Sequence, residues 1–188
     1  GRLQGAIAVF ELKRQNVATD DPQHPNFYIV TGEQRGRGFE AESTWNPVNG
    51  ATLSAAYTYL DATVTRDETF VVGSDLPNVP HNNITFYGEY VLQHGPLANL
   101  GANLSYLYNS RKHATLYAED VVTTHPDGTP DGTPDAISLF SLPSYWIVDA
   151  GISYRWQDWQ ARLNVNNLLD KRYYPDACCL DRVTPGQP

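Results

Sequence analysis

The chain has 188 residues, with 13 Lys and Arg against 21 Asp and Glu, and a formal net charge of -8. This length suffices for one domain with a sizeable core, and the acidic balance argues against a nucleic-acid partner, whose phosphates require clustered cations. The 12 Tyr and 4 Trp suit a membrane–water interface, but no run of about 18 apolar residues predicts a transmembrane helix. A chain of this kind in a membrane would therefore cross it as strands.

Seven stretches alternate apolar and polar residues with a period of two, as half-buried strands do. In chain order they are Arg2–Arg14, Tyr28–Trp45, Ala51–Thr65, His81–Leu92, Leu100–Lys112, Ser144–Trp156 and Trp159–Tyr173. In the fifth stretch the even-numbered residues from Leu100 to Tyr108 are apolar or aromatic, whereas Asn103, Ser105 and Asn109 are polar. The sequence predicts an all-β chain whose strands each have one apolar and one polar face.

Two architectures produce such strands. A soluble sandwich packs the apolar face into its core, and a membrane barrel turns it toward lipid. Short connections follow the second, fourth and sixth stretches, and longer polar ones follow the others; this alternation is typical of a barrel. Trp45, Trp156 and Trp159 flank the short turns, where a barrel has an aromatic girdle, although aromatic residues favour strands in general. We expect an antiparallel up-and-down transmembrane β-barrel with its long loops outside the cell.

Five segments support a more specific interpretation. They are TGEQRGRGFEAE at 31–42, LPNVPH at 76–81, LPSYWIVDA at 142–150, LNVNNLLDKRY at 163–173 and PGQP at 185–188. In order and spacing they resemble the TonB-dependent siderophore receptors, with ferric hydroxamate-type receptors the most similar. The resemblance implies a bacterial outer-membrane receptor that imports ferric siderophore complexes and needs no cofactor. It also implies the TonB system, outer-membrane lipid and lipopolysaccharide as partners.

The resemblance further implies that residues 1–188 are the C-terminal part of a barrel of about 22 strands. The plug domain, the TonB-contacting segment and the final strand would lie outside this sequence, which also contains no Met and no leader-like segment. Seven strands would leave two open edges, which hydrocarbon does not tolerate. We therefore expect an incomplete barrel that is not competent for transport by itself.

Four charged residues within the second stretch are candidate plug contacts. Glu40 and Glu42 share the polar face of that stretch, and an ion-pair ladder with Arg35 and Arg37, or with the plug itself, is the favoured interpretation. Paired carboxylates can also serve hydrolysis, but no nucleophile motif lies near them in sequence. The resemblance points in the same direction, toward contact between barrel and plug.

Aromatic and cationic residues near the outer strand ends are the candidate substrate contacts. They are Tyr108, Arg111, Tyr117, Phe140 and Tyr145. Metal–siderophore complexes are bulky and partly apolar, so aromatic walls with a few polar donors suit them. For the polar stretch 166–171 we favour a structural role over ligand binding.

No metal site or enzyme is predicted. The five His residues lack ligand spacing, and the repeat PDGTPDGTPD lacks the spacing and closing Glu of a calcium loop. A disulfide between the adjacent Cys178 and Cys179 would be strained, so their pairing stays open. The alternatives to an importer are a passive porin, a barrel enzyme, for which no Ser/His/Asp constellation is visible, and a soluble carbohydrate-binding sandwich.

Overall fold

The computed structural model describes residues 1–20, 24, 27–68, 70–114, 141–178 and 182–187. Within these ranges all regular secondary structure is β, and no helix is long and apolar enough to cross a membrane. The strands are β1 (Arg2–Asp20), β2 (Tyr28–Asn46), β3 (Ala51–Arg66), β4 (Asn82–Val91), β5 (Leu100–Asn109), β6 (Lys112–His113), β7 (Ser141–Leu142), β8 (Tyr145–Trp156), β9 (Trp159–Val165), β10 (Asp176–Cys178) and β11 (Arg182–Thr184).

Seven of these strands form one antiparallel sheet in the order β1-β2-β3-β4-β5-β8-β9. Each strand of this main sheet pairs with the strands before and after it in the chain, with only β6 and β7 set aside as a separate ribbon. A second ribbon joins β10 to β11. The predicted all-β, up-and-down, antiparallel arrangement of seven strands is confirmed, and the sheet remains open at β1 and β9.

Strand lengths differ from the prediction at both ends of the sheet. β1 continues to Asp20 because its pairing with β2 persists to the Asp20–Tyr28 pair. The β1–β2 hairpin therefore extends beyond Arg14, into the region where we predicted a loop. The seventh predicted strand is wrong beyond Val165, where the sheet ends. Asn167 and Asp170 have positive φ values of 48° and 47°, and this left-handed backbone cannot continue a strand.

The short connections lie at one end of the sheet, and two of them are tight turns. Gly50 closes the β2–β3 turn with φ +85°, and a Cβ there would lie 2.2 Å from the Val91 carbonyl oxygen, so both backbone conformation and space require glycine. Gln157 has φ 51° in the two-residue β8–β9 turn, as hairpins with primed turns require. We call the opposite end of the sheet the outer rim.

Candidate functional site: the polar face and the outer rim

The register of the main sheet sorts its side chains onto two faces. Residues directly opposite each other in an antiparallel pair point to the same side. Leu104 is aligned with Gly88 and Ala150, whereas Asn103 is aligned with Glu89 and Gly151. One side therefore carries the residues Ile7, Val9, Phe39, Trp45, Ile84, Phe86, Leu104, Ile152 and Leu163. We call it the apolar face and the other side the polar face.

The apolar face is not a protein core. Ile7 and Val9 are 79% and 83% exposed, and every other member of the set is exposed as well. An apolar surface that spans seven strands far exceeds the patches that soluble monomers leave in water. Its chemistry is that of a surface in contact with lipid, and the sandwich interpretation would require a second layer over it.

The polar face carries a chain of hydrogen bonds near the outer rim. Asn83 Nδ2 donates to Asn109 Oδ1 at 2.9 Å, and Asn109 Nδ2 donates to the Tyr145 hydroxyl oxygen at 2.9 Å. Asn109 and Tyr145 are both buried, at 8% exposure, and the Tyr145 ring packs against Tyr173 at a centroid distance of 4.9 Å. These contacts link β4, β5 and β8 to the segment after β9, so they hold a rigid polar wall.

Asn167 explains why the chain leaves the sheet after Val165. Its backbone N donates to Asp149 Oδ1 at 2.7 Å, and its side-chain Nδ2 donates to the carbonyl oxygens of Lys171 and Gln187 at 3.0 and 3.1 Å. The Lys171 backbone N donates to Asn167 Oδ1 at 3.0 Å. A buried amide with these partners fixes the turn 167–171 and ties it to residue 187. Asp149 is itself held by Ser105 Oγ at 3.1 Å.

A compact cluster covers the outer rim, and we call it the rim cluster. Its buried residues are Ala114, Leu142 and Ala177, with Val183 packed against them. Asn78 Nδ2 donates to the Ala177 carbonyl oxygen at 2.7 Å and Asn78 Oδ1 accepts from the Ala177 N at 3.1 Å. The cluster therefore joins the β3–β4 loop to both small ribbons.

Lys112 lies within this cluster with little contact to solvent. Its ammonium donates to the Pro175 carbonyl oxygen, and only 7% of the residue is exposed. Burial lowers the pKa of the Lys112 ammonium below its ordinary range, and the Asp176 carboxylate partly offsets that effect. Burying a cation beside a neutral carbonyl oxygen costs free energy of folding. Lys112 is therefore a constrained position in the rim cluster.

The four charged candidates of β2 divide between the two faces. Glu40 and Glu42 lie on the polar face, and no described residue forms a hydrogen bond or ion pair with either carboxylate. Arg35 and Arg37 share the parity of Phe39 and lie on the apolar side, and Arg37 Nε pairs with Asp61 Oδ2 at 2.8 Å. The predicted ladder between these arginines and Glu40 or Glu42 is therefore wrong, because the sheet separates the two pairs.

The candidate substrate residues are only partly brought together. Tyr145 and Arg111 lie at the outer rim, and Arg111 is exposed with its Nε donating to Ser141 Oγ at 3.0 Å. Tyr108 is aligned with Ile84 and Trp146 on the apolar face, away from the other two. Tyr117 and Phe140 lie outside the described residues, as do Cys179 and the side chain of Cys178.

The sequence did not reveal that Asn109, Asn167 and Tyr173 hold the outer rim together through their side-chain contacts. Alternation placed Asn109 on the polar face, but its partners depend on a register across 36 residues of chain. Among the described residues, no group of three His, Cys, Asp or Glu side chains is arranged to hold a metal ion.

Comparison with known proteins shows that the chain matches a family model and is similar to several receptors. Residues 1–168 match the family model described as TonB dependent receptor-like, beta-barrel. The chain is 34% identical over 191 residues to the metal-pseudopaline receptor CntO of Pseudomonas aeruginosa, a match that covers 100% of the chain and 24% of that protein. It is 29% identical to the ferrioxamine B receptor of Salmonella typhimurium, covering 92% of the chain and 22% of the receptor.

A solved structure agrees in fold. The ferripyoverdine receptor of the Pseudomonas aeruginosa outer membrane, crystallised with ferripyoverdine, superposes with a TM-score of 0.71 at 25% identity. That match covers 100% of the chain and 24% of the receptor. The chain thus spans about a quarter of the length of the relatives that it matches.

Proposed function

Because the chain belongs to the TonB-dependent receptor β-barrel family, we propose that it forms the C-terminal part of the wall of a receptor that imports metal–siderophore complexes, ferric ones above all. The family consists of bacterial outer-membrane transport receptors and not of enzymes. The relatives are receptors for metal–pseudopaline, ferrioxamine B and ferripyoverdine. Their ligands share one chemistry, a metal ion wrapped in an organic chelator.

One observation supports this function most strongly. The main sheet places exposed apolar side chains on one side, and on the other side β4, β5 and β8 form a hydrogen-bonded polar surface. In an outer-membrane barrel the apolar face meets lipid and the polar face lines the interior. The chain would then supply about seven strands of a wall that other parts of the receptor complete.

The outer rim supplies the surface that a chelate would meet. Arg111 is exposed and cationic, so it is suited to the oxygen-rich periphery of such a complex. Tyr145 is held by Asn109 and Tyr173 and would shape the wall beneath it. Tyr117 and Phe140 remain proposed contacts from the sequence alone, and Tyr108 is not retained because it lies on the apolar face.

Glu40 and Glu42 are the proposed contacts with a plug domain inside the barrel. Both carboxylates face the interior and lack a partner among the described residues. A plug that presents cations there would satisfy both charges. TonB would act through the N-terminal part of such a receptor.

The test is uptake by the intact receptor in cells that lack their own siderophore receptors. Radioactive iron is supplied as ferrioxamine B or ferripyoverdine, in the presence and absence of TonB. We expect saturable uptake of at least one chelate that disappears without TonB. Uptake that continues without TonB would indicate a passive porin and would contradict the proposal.

A matched pair of variants tests the rim. Arg111→Gln removes the exposed cation and should raise the half-saturating chelate concentration at least about tenfold, the effect of one lost charge-assisted contact. Arg155→Gln lies on β8 toward the opposite end and should leave that concentration unchanged. Equal effects of the two changes would remove Arg111 from the proposed contact surface.

A further inference from the structure

We infer that an apolar patch on the polar face, together with Arg14, binds the hydrocarbon arm of an anionic metal chelate; the inference rests on the proposed receptor function. The patch consists of Phe10, Leu12 and Leu60, and we call it the interior apolar patch. Phe10 and Leu60 are both aligned with Gly38, and Leu12 follows Phe10 by two residues on the same side of β1. In the proposed barrel the patch therefore faces the interior.

The two faces of the sheet exchange their chemistry near the outer rim of β1, β2 and β3. Phe39 and Tyr59 stack at a centroid distance of 6.0 Å on the apolar face. From that pair toward the rim, the same side of the three strands carries charged residues, which are Glu11, Lys13, Glu33, Arg35, Arg37 and Asp61. The interior side of the same strands carries the interior apolar patch instead. An exposed apolar surface where a barrel wall is normally polar indicates a contact with something other than water.

The interior apolar patch is continuous because two glycines of β2 lie beneath it. A Cβ at Gly38 would lie 3.1 Å from Phe10 Cζ, and a Cβ at Gly36 would lie 3.6 Å from Leu60 Cδ1. Without side chains at these positions, the phenyl ring and the leucine can approach the backbone of β2 closely. Leu12 is aligned with Gly36 and is 70% exposed. The three side chains therefore present one apolar surface across β1, β2 and β3.

The described chain covers this surface only at β3. Ala62 and Val64 continue the interior positions of β3 and are buried. The β3–β4 loop lies against them, because the Leu76 N donates to the Ala62 carbonyl oxygen at 2.8 Å. Leu12, two strands away, remains open. An occupant of the patch must therefore approach over β1 and β2 from the interior.

The charges at the two ends of the patch determine the polarity of its occupant. Arg14 follows Leu12 by two residues on the polar face, is exposed, and forms no ion pair with a described residue. Glu40 lies at the inner end, where it is aligned with Ala8. Anionic oxygens are therefore attracted to Arg14 at the outer end and repelled by Glu40 at the inner end. At about 3.3 Å per residue, Arg14 and Leu12 are about 7 Å apart along the strand.

A chelate with a hydrocarbon arm meets both requirements of this surface. Its anionic donor head would lie beside Arg14, and its arm would extend inward over Leu12 and Phe10. Membrane lipid lies on the other side of the proposed wall, and the patch is near the outer rim, where a ligand from outside the cell arrives first. The substrate class is thus a metal complex whose donor groups are joined by methylene arms.

The experiment measures chelate binding by the intact receptor in detergent, using isothermal titration calorimetry. The probes are two ferric complexes of citrate dihydroxamates that have the same donor groups and charge, with about five and about three methylene groups in each arm. The test variants are Leu12→Asn and Arg14→Gln, and Leu12→Met is the conservative rescue variant. The matched control is Lys13→Gln, because Lys13 lies between the two positions in sequence and points to the membrane side.

We expect the parent to bind the long-arm chelate about 15-fold more tightly than the short-arm chelate, the effect of two additional buried methylene groups. Leu12→Asn should weaken binding of the long-arm chelate about tenfold, because a leucine side chain no longer becomes buried, and should change binding of the short-arm chelate less than about twofold. Leu12→Met should bind as the parent does. Arg14→Gln should weaken binding of both chelates at least about tenfold, and Lys13→Gln should leave both affinities unchanged.

Four results would overturn the inference. Equal losses for the two chelates in Leu12→Asn would show that the patch does not contact the arm. Equal effects of Lys13→Gln and Arg14→Gln would place the charge effect outside the interior. A lower thermal midpoint of chelate-free Leu12→Asn with unchanged affinities would show that a plug or a loop covers the patch. The fourth result is a parent protein that binds neither chelate.

Uptake by the parent protein separates this inference from the proposed function. TonB-dependent uptake of ferrioxamine B or ferripyoverdine by a parent that shows no preference for arm length would overturn the inference alone. Uptake that needs no TonB would contradict the proposed function, whatever the preference for arm length. TonB-dependent uptake together with the expected preference, and its loss in Leu12→Asn, supports both.

Discussion

Leu104→Arg tests which face of the sheet meets lipid. Leu104 lies at the middle of β5, is 45% exposed, and has the small residues Gly88 and Ala150 opposite it. These two cross-strand partners offer an arginine no countercharge. A lipid-facing Arg near the bilayer midplane costs about 2–4 kcal/mol, which corresponds to roughly a 30-fold to 700-fold fall in the ratio of folded to unfolded protein.

Asn103→Arg is the matched control, one residue away on the opposite face. Its cross-strand partners are Glu89 and Gly151, so a guanidinium would have the Glu89 carboxylate on one side and, above Gly151, the Asn164 amide oxygen on the other. With the charged group in water, the expected cost is below about 1 kcal/mol. The test therefore compares the loss of free energy of unfolding in Leu104→Arg with the loss in Asn103→Arg.

The assay is a urea titration of the intact receptor in lipid vesicles, followed by the heat-modifiable mobility of the folded barrel on a gel. We expect the midpoint to fall for Leu104→Arg and to stay near the parent value for Asn103→Arg. Equal losses would refute the assignment of faces, and a greater loss for Asn103→Arg would place the apolar face inside.

Three further predictions concern the turns and the rim. Asn167→Ala removes a buried amide with three partners and should cost about 2–4 kcal/mol, measured as a lower thermal midpoint, whereas the exposed Asn166→Ala should change it little. In whole cells, an impermeant thiol reagent should label a cysteine at Glu68 and not one at Asp158; the reverse pattern would invert the topology. The lowered pKa of Lys112 means that the folded protein binds fewer protons than the unfolded chain just below pH 10.5, so stability should rise with pH there. Lys112→Met should abolish that rise, and a rise that persists would exclude Lys112 as its source.

Most of the sheet could be predicted because alternation and turn residues are local signals. The bounds of β2 and β3 differ from the predicted ones by a single residue at one end. The position of Arg35 and Arg37 was also within reach of the sequence, since 35, 37 and 39 have the same parity as the apolar Phe39. The error came from grouping charges by proximity along the chain instead of by face.

The rest depends on contacts between distant parts of the chain. The end of β9 follows from the amide of Asn167, whose partners include Gln187, and a motif of polar residues does not reveal that geometry. β1 exceeds its predicted length because β2 remains paired with it beyond the apolar band. The bond from Asn109 to Tyr145 likewise requires β5 and β8 to be neighbours, which the 35 residues between them do not encode locally.

The most direct test of the wall is a spin-label scan along β5, from Leu100 to Asn109, in the intact receptor embedded in lipid. Power saturation compares collisions with oxygen, which concentrates in lipid, and with a water-soluble nickel complex. A wall with its apolar face in lipid should give a period of two, with oxygen favoured at even positions such as Leu104 and nickel favoured at odd positions such as Asn103. A scan without that period, or with the two reagents exchanged, would contradict a barrel wall with its apolar face toward the membrane.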